Sequence, residues 1–235
     1  MTVRLSLLDA FELTYDGVDV PLPLTAQRLV AFLALHPRPL LRGYIAGALW
    51  PDTSEERAHA SLRSALWRLR RPGRGLTQAR DGRLGLDRGV AIDVRELGEL
   101  AHRVLGRDGS GGGPSDAAAE LIGLSGDLLP DWYDDWVLVE REHVRQLRLH
   151  ALETLCDRLL GAGRYAEAAE AALAVIVTDA LRESAHRALI RVHLAEGNIG
   201  EALRQYAFFR RLSAQLLGLD PSAEMEQLIG SVTPR

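Results

Sequence analysis

The chain contains no lysine: all 28 of its basic residues are arginine. A GC-rich coding sequence accounts for most of that bias. Any contact with a phosphate must still be made by a planar, permanently charged guanidinium. One cysteine, Cys156, excludes an intramolecular disulfide and a cysteine-based zinc cluster, and fits a reducing cytoplasm. No run approaches the roughly 20 apolar residues of a membrane helix. The opening MTVRLSLLDAFELTY is broken by Asp9 and Glu12 and has no cleavable secretory pattern. A cytoplasmic protein with no membrane partner is expected. The P-loop, HExxH and GxSxG patterns are absent, and Gly109–Gly113 follows a helical pattern, not a strand. The seven histidines lack a metal-ligand spacing. These absences argue against an enzyme, a cofactor or a metal. Asp131, Asp134, Asp135, Glu140 and Glu142 cluster around Trp132 and Trp136. A hydrolase could be built only on this acidic group, which reads instead as a solvated helix start with packed tryptophans. Cys156 sits in an apolar helical stretch and reads as core.

What is present is enough for a packed core: 47% of the 235 residues are apolar. The net charge of −4 hides an asymmetry. Residues 1–95 carry 14 arginines against 10 acids, and residues 96–235 carry 14 against 22. A basic front and an acidic back point to a polyanionic partner for the front alone.

The first 24 residues alternate, with Val3, Leu5 and Leu7 on one face, then Phe11, Leu13 and Tyr15, then Val18, Val20 and Leu22. Period two predicts half-buried strands, and Asp16-Gly17 predicts a hairpin turn. Helical spacing follows over 25–36, ending before Pro37, and over 41–50, ending before Pro51, with Leu41, Ile45, Ala48 and Leu49 on one stripe. A third helix begins at Thr53-Ser54-Glu55-Glu56, which predicts a capping box with Thr53 as cap and Glu56 reaching back. It ends at Arg70-Arg71 before Pro72-Gly73, and buries Leu62, Ala65, Leu66 and Leu69. A hairpin turning at Asp81-Gly82 and a strand at Val90, Ile92 and Val94 complete the front part. Beyond it, helices are predicted over 94–105, 115–123, 134–162, 165–177, 181–195, 199–217 and 222–230. The fold class is therefore mainly α with a small antiparallel β portion. Residues 1–95 form a winged helix-turn-helix domain, and 96–235 form an all-α domain with the glycine-rich stretch 106–115 as an internal loop.

The back part repeats itself. Gly163-Arg-Tyr-Ala-Glu-Ala168 aligns with Gly197-Asn-Ile-Gly-Glu-Ala202 at a shift of 34, which also pairs Ala151 with Ala185, Leu155 with Leu189 and Leu160 with Leu194. A 34-residue period in paired helices is the tetratricopeptide spacing.

An arginine-rich helix face is often merely solvated. This one is the third helix of a set followed by a basic hairpin, which is the layout of a winged helix. Between 54 and 88 there are nine arginines and four acids. Ser61, Arg63, Ser64, Trp67, Arg68 and Arg71 fall on the outward arc of that helix, suited to a major groove. Arg80 and Arg83 on the hairpin are suited to the flanking backbone. Trp67 is either a base or sugar contact or the edge of the core. A competing reading makes the helical part a protein–protein adaptor that binds no DNA.

The chain resembles the Streptomyces antibiotic regulatory protein family. The front resembles its OmpR/PhoB-type winged helix at Leu49-Trp50-Pro51-Asp52 and Leu66-Trp67-Arg68-Leu69-Arg70. The back resembles its bacterial transcriptional activation domain at Leu129-Pro-Asp-Trp132, Trp136, Glu140-Arg-Glu142, Gly163–Ala168, Asp179, Leu181-Arg-Glu183, Ala185-His186, Gly197-Asn198, Ala202–Tyr206 and Leu217–Ser222. The resemblance implies a DNA-binding activator of a secondary-metabolite gene cluster. It implies binding to direct repeats in double-stranded DNA, recruitment of RNA polymerase and its sigma factor, a homodimer on DNA, and no enzyme activity. The chain departs from the family at Ala180, where proline is usual, and at Trp67, where a smaller residue is expected. No nucleotide-binding module follows the helical part, so control by ATP is not expected.

Overall fold

The computed structural model describes residues 2–69, 75–106 and 114–231, and its packing separates two compact units. The first joins Met1–Gly98 with Ser125–Arg145. The second joins Glu99–Leu124 with Gln146–Arg235.

In the first unit, β1 (Val3–Ser6), β2 (Glu12–Tyr15) and β3 (Val18–Asp19) form an antiparallel meander, and β7 (Val90–Ile92) adds to β1 in parallel. The alternation expected from the sequence holds for β1 and β2 but not for the third run. There β3 is only two residues long and exposed, with Val18 68% exposed and Val20 and Leu22 beyond the strand. Val3, Leu5 and Leu7 are buried together with Leu13 and Tyr15, and Val3 lies opposite Tyr15 and Leu5 opposite Leu13. Both Asp-Gly pairs make the turns expected of them. Asp16 and Gly17 have φ of 49° and 80°, and Asp81 and Gly82 have 51° and 74°. Two successive positive φ values define the turn whose twist matches a two-residue hairpin, and Asp and Gly tolerate them best.

Helices α1 (Leu24–Leu35), α2 (Arg42–Leu49) and α3 (Glu55–Leu69) follow, with α1 stopping before Pro37 and α2 before Pro51. A second sheet, in the order β4-β6-β5, forms the wing from β4 (Leu40–Leu41), β5 (Thr77–Arg80) and β6 (Arg83–Leu86). Leu41 corrects the sequence reading. It is not on the buried stripe of α2 but in β4, opposite Arg83 and 52% exposed. Two residues are too few to show a strand period, so the flanking helical spacing absorbed them.

Buried polar groups fasten this unit. Asp93, first residue of α4 (Asp93–Leu105), accepts from the amides of Leu7 at 2.9 Å, Leu8 at 3.0 Å and Val94 at 2.7 Å, and so holds the end of β1. Burial pushes its carboxyl up despite those three donors. Residues 125–145 complete the core. Leu129 N donates to Leu7 O and Asp9 N to Asp127 O, both at 2.9 Å. Trp132 stacks on Phe11, and Trp136 meets Phe32 edge-on with ring centres 5.2 Å apart. Arg141 donates to the carbonyls of Leu128, Leu129 and Trp132. Arg28 ion-pairs with Asp134 and donates to Leu49 O. The two tryptophans are therefore packing groups, as the sequence suggested.

The second unit holds α5 (Pro114–Gly123), the later part of α6 (Asp135–Gly161), α7 (Tyr165–Thr178), α8 (Glu183–Ala195), α9 (Ile199–Leu217) and α10 (Ala223–Gly230). The 34-residue shift is a real structural repeat. Gly163 and Gly197 occupy the same left-handed conformation between paired helices, with φ of 73° and 86°. Ala151 and Ala185, Leu155 and Leu189, and Ala168 and Ala202 are buried pairwise. The small alanines let the helices approach closely. Cys156 is fully buried and its thiol is pushed up to about 12 by that burial, so it is core and not a reactive group. No helix among the described residues is long and apolar enough to cross a membrane.

Candidate nucleic-acid interface

Helix α3 is amphipathic by construction. Ala58, Leu62, Ala65 and Leu69 are buried at helical spacing, with Leu66 half-buried beside them. Its start differs in detail from the expected capping box. The helix begins at Glu55, Ser54 O accepts from Ala58 N, and the Thr53 hydroxyl donates back to Trp50 O at 3.1 Å. Thr53 thus closes the Trp50-Pro51-Asp52 turn instead of capping the helix. Glu55 and Glu56 lie in the first turn and Arg68 in the last, the order that complements the helix dipole.

The outward face carries the residues named from the sequence. Arg63, Ser64 and Arg68 are exposed, Ser61 is half-buried, and Trp67 is 60% exposed. That exposure separates Trp67 from the core edge that its size suggested. Arg63 and Trp67, and Ser64 and Arg68, are each one turn apart, so four of the five share one continuous surface. Arg71 lies outside the described residues. On the wing, Arg80 and Arg83 are exposed and face each other across the Asp81-Gly82 turn. Arg80 lies 3.4 Å from the Asp81 carboxylate, both highly exposed. One residue was overlooked: Arg57 is exposed, and at seven and eleven positions before Ser64 and Arg68 it lies on their face. Helical spacing alone would have found it.

The electrostatic character of this surface lies in what the arginines do not touch. Among the described residues, Arg57, Arg63 and Arg68 on α3, and Arg83 and Arg88 at the wing, have no carboxylate within ion-pair distance. Their charges are held on a surface without internal neutralisation. Such a field attracts polyanions, and a guanidinium fork can grip a phosphate or the O6/N7 edge of guanine with two hydrogen bonds. No group of three or more His, Cys, Asp or Glu side chains that could hold a metal occurs among the described residues.

Comparison with known proteins places this surface in context. Residues 115–233 match the family model of the bacterial transcriptional activator domain. Over 96% of its length the chain is 28% identical to the regulatory protein AfsR of Streptomyces coelicolor, and over 85% it is 28% identical to AfsR of Streptomyces griseus. It spans about a quarter of the length of those relatives, 24% and 21% respectively. Among solved structures, Mycobacterium tuberculosis EmbR in complex with a low-affinity phosphopeptide shares the fold with a TM-score of 0.72 and 21% identity. The match covers 97% of this chain and 64% of that one.

Proposed function

This chain belongs to the bacterial transcriptional activator domain family, and we propose that, as a transcriptional regulator of the Streptomyces antibiotic regulatory protein type, it binds double-stranded DNA through α3 and the wing. The observation that carries this reading is the row of arginines on the outward face of α3 with no carboxylate partner among the described residues. In this mechanism α3 enters the major groove. Arg63, Ser64, Trp67, Arg68 and Arg71, with Ser61 at the margin, face base edges and phosphates. Arg80 and Arg83 touch the backbone beside the groove. Residues 1–95 act as the DNA-binding domain and 96–235 as the activation domain. The latter's partner is RNA polymerase with its sigma factor. A homodimer on direct repeats upstream of a secondary-metabolite gene cluster is the assembly that fits the family.

The test is fluorescence anisotropy of the purified protein with DNA from upstream of its own gene, titrated across salt. Binding should beat a scrambled duplex and weaken steeply with salt, because neutralising phosphates releases counterions. Arg68→Ala should cost about 1–3 kcal/mol of site binding. A folded protein that binds neither duplex at low salt would overturn the reading and leave the helical part as a protein-binding adaptor.

A further inference from the structure

A cavity of about 500 Å³ beside the wing has four arginines among its lining residues. Its lining comes from the end of α1 and the turn after it (His36, Pro37, Arg38, Pro39), from the wing strands (Gln78, Arg80, Gly85, Leu86), and from Arg88 and Arg95. None of these ten residues is acidic. Arg95 is fixed in place. Its Nε donates to Ala34 O at 2.9 Å and its Nη2 to Leu33 O and His36 O at 3.2 Å each, so it closes the C-terminal end of α1. Arg38 and Arg88 are exposed and have no ion pair among the described residues. Asp81 and Asp87 neighbour lining residues in sequence. Asp81 pairs with Arg80, and Asp87 accepts from the Gln78 side chain and from Gly89 N. They leave an excess of positive charge in the recess.

We propose that this cavity binds a small molecule bearing a di- or triphosphate. Three features favour that chemistry. The exposed guanidinium groups of Arg38, Arg80 and Arg88 match an anion with several negative charges and have planar forks suited to phosphate oxygens, while Arg95, tied to the end of α1, adds its charge beside them. The volume lies in the usual range for small-molecule sites and far exceeds what a single orthophosphate fills. Leu86, Pro37 and Pro39 add an apolar wall for the organic part of the molecule. Arg80 is shared with the proposed DNA contact of the wing. Occupancy would therefore draw that guanidinium away from the backbone and weaken DNA binding. This regulatory consequence rests on the DNA reading, whereas the binding itself does not.

Sodium tripolyphosphate is the probe, followed by isothermal titration at moderate salt, with orthophosphate and sulfate as controls. The full chain should bind tripolyphosphate one to one and the controls far more weakly. The double variant Arg38→Ala/Arg88→Ala, at two exposed positions, should bind it about tenfold more weakly or worse, as expected for losing two charge-assisted contacts. Arg63→Ala/Arg68→Ala on α3 should bind it as the parent does. Circular dichroism confirms that both variants are folded. Absence of saturable binding to the parent overturns the proposal. So does equal weakening in both variants, which would mean diffuse screening by the basic surface. If the parent ignores tripolyphosphate while Arg38→Ala/Arg88→Ala loses DNA affinity, the recess is a seat for the DNA backbone and the proposal fails. If tripolyphosphate binds as described and DNA does not, the cavity proposal stands and the DNA reading falls.

Discussion

The same residue type is used in two opposite ways in the two units. In the second unit five arginines serve as internal ties: Arg182 holds Glu153, Arg187 holds Glu183 and Glu224, Arg191 holds Asp157, and Arg164 and Arg204 hold Glu167 and Glu201. On α3 of the first unit Arg57, Arg63 and Arg68 have no such partner among the described residues. The first unit can also pair arginines when structure requires it, as Arg28 with Asp134 and Arg4 with Glu96 show. Arg103, Arg210 and Arg211 of the second unit are exposed and without an ion pair among the described residues too, so what sets α3 apart is that three such arginines lie along one short helix. An unpaired, solvated arginine contributes little to folding, so its charge stays available to an outside anion.

The largest expected effect on stability comes from the most enclosed of the second-unit pairs named above. Glu153 and Arg182 are only 20% and 17% exposed, 2.8 Å apart, and the Ser184 hydroxyl also donates to Glu153. Glu153→Ala would leave Arg182 largely enclosed without the carboxylate it holds at 2.8 Å. It should destabilise the chain by about 1–3 kcal/mol in a urea melt, less than a fully buried pair would because some solvent reaches it. DNA affinity should be unchanged. Burial alone would raise the Glu153 carboxyl, but the bonds from Arg182 and Ser184 outweigh it and hold the group below its ordinary 4.5. A carboxyl depressed in the folded state contributes fully above its unfolded pKa and loses that contribution as pH falls through the folded value. Acid melts of the parent should therefore show a loss below about pH 4 that Glu153→Gln lacks. An identical acid limb in both proteins would contradict the assignment.

Next comes the reverse pattern. Arg63→Ala and Arg68→Ala should each leave the urea midpoint within about 0.5 kcal/mol of the parent, as surface changes do. Their cost should fall on DNA binding. A substitution on α3 that unfolds the protein while sparing DNA affinity would reverse the contrast between the two surfaces.

Much of this architecture is legible locally. The two Asp-Gly turns, the proline stops after α1 and α2 and the 34-residue repeat each depend on a few neighbouring residues. Their physics is written in short stretches of chain. What escapes the sequence depends on distant partners. β4 is defined by pairing with β6, more than 40 residues later, and β1 takes β7 in parallel about 87 residues on. Alternation shows that a strand exists, not which strand lies beside it. The packing of residues 125–145 with the winged helix rests on Phe32, Phe11 and Arg28, none of which signals its partner. The α3 surface divides the same way. Spacing puts Arg63, Ser64, Trp67 and Arg68 on one face, but the lack of nearby carboxylates appears only in three dimensions.

The smallest effect is expected at Arg204, and it tests what the comparison rests on. Arg204 and Glu201 form a hydrogen-bonded pair one turn apart on α9, with side chains 71% and 49% exposed. The Arg204 hydrogen bond holds the Glu201 carboxyl below its ordinary value, yet both groups stand in water. Water and salt can replace each partner, so the pairing seen in the structure should not translate into stability. Arg204→Ala should leave the thermal midpoint unchanged within measurement error, at low and at high salt. If so, pairing alone does not make an arginine structural: enclosure does, as at Glu153 and Arg182. The arginines of α3 then differ from Arg204 not in their value to folding but in having no carboxylate to displace before an anion arrives. A midpoint lowered as far by Arg204→Ala as by Glu153→Ala would mean that pairing itself stabilises the second unit. The contrast with α3 would then have to be drawn on partners and not on burial.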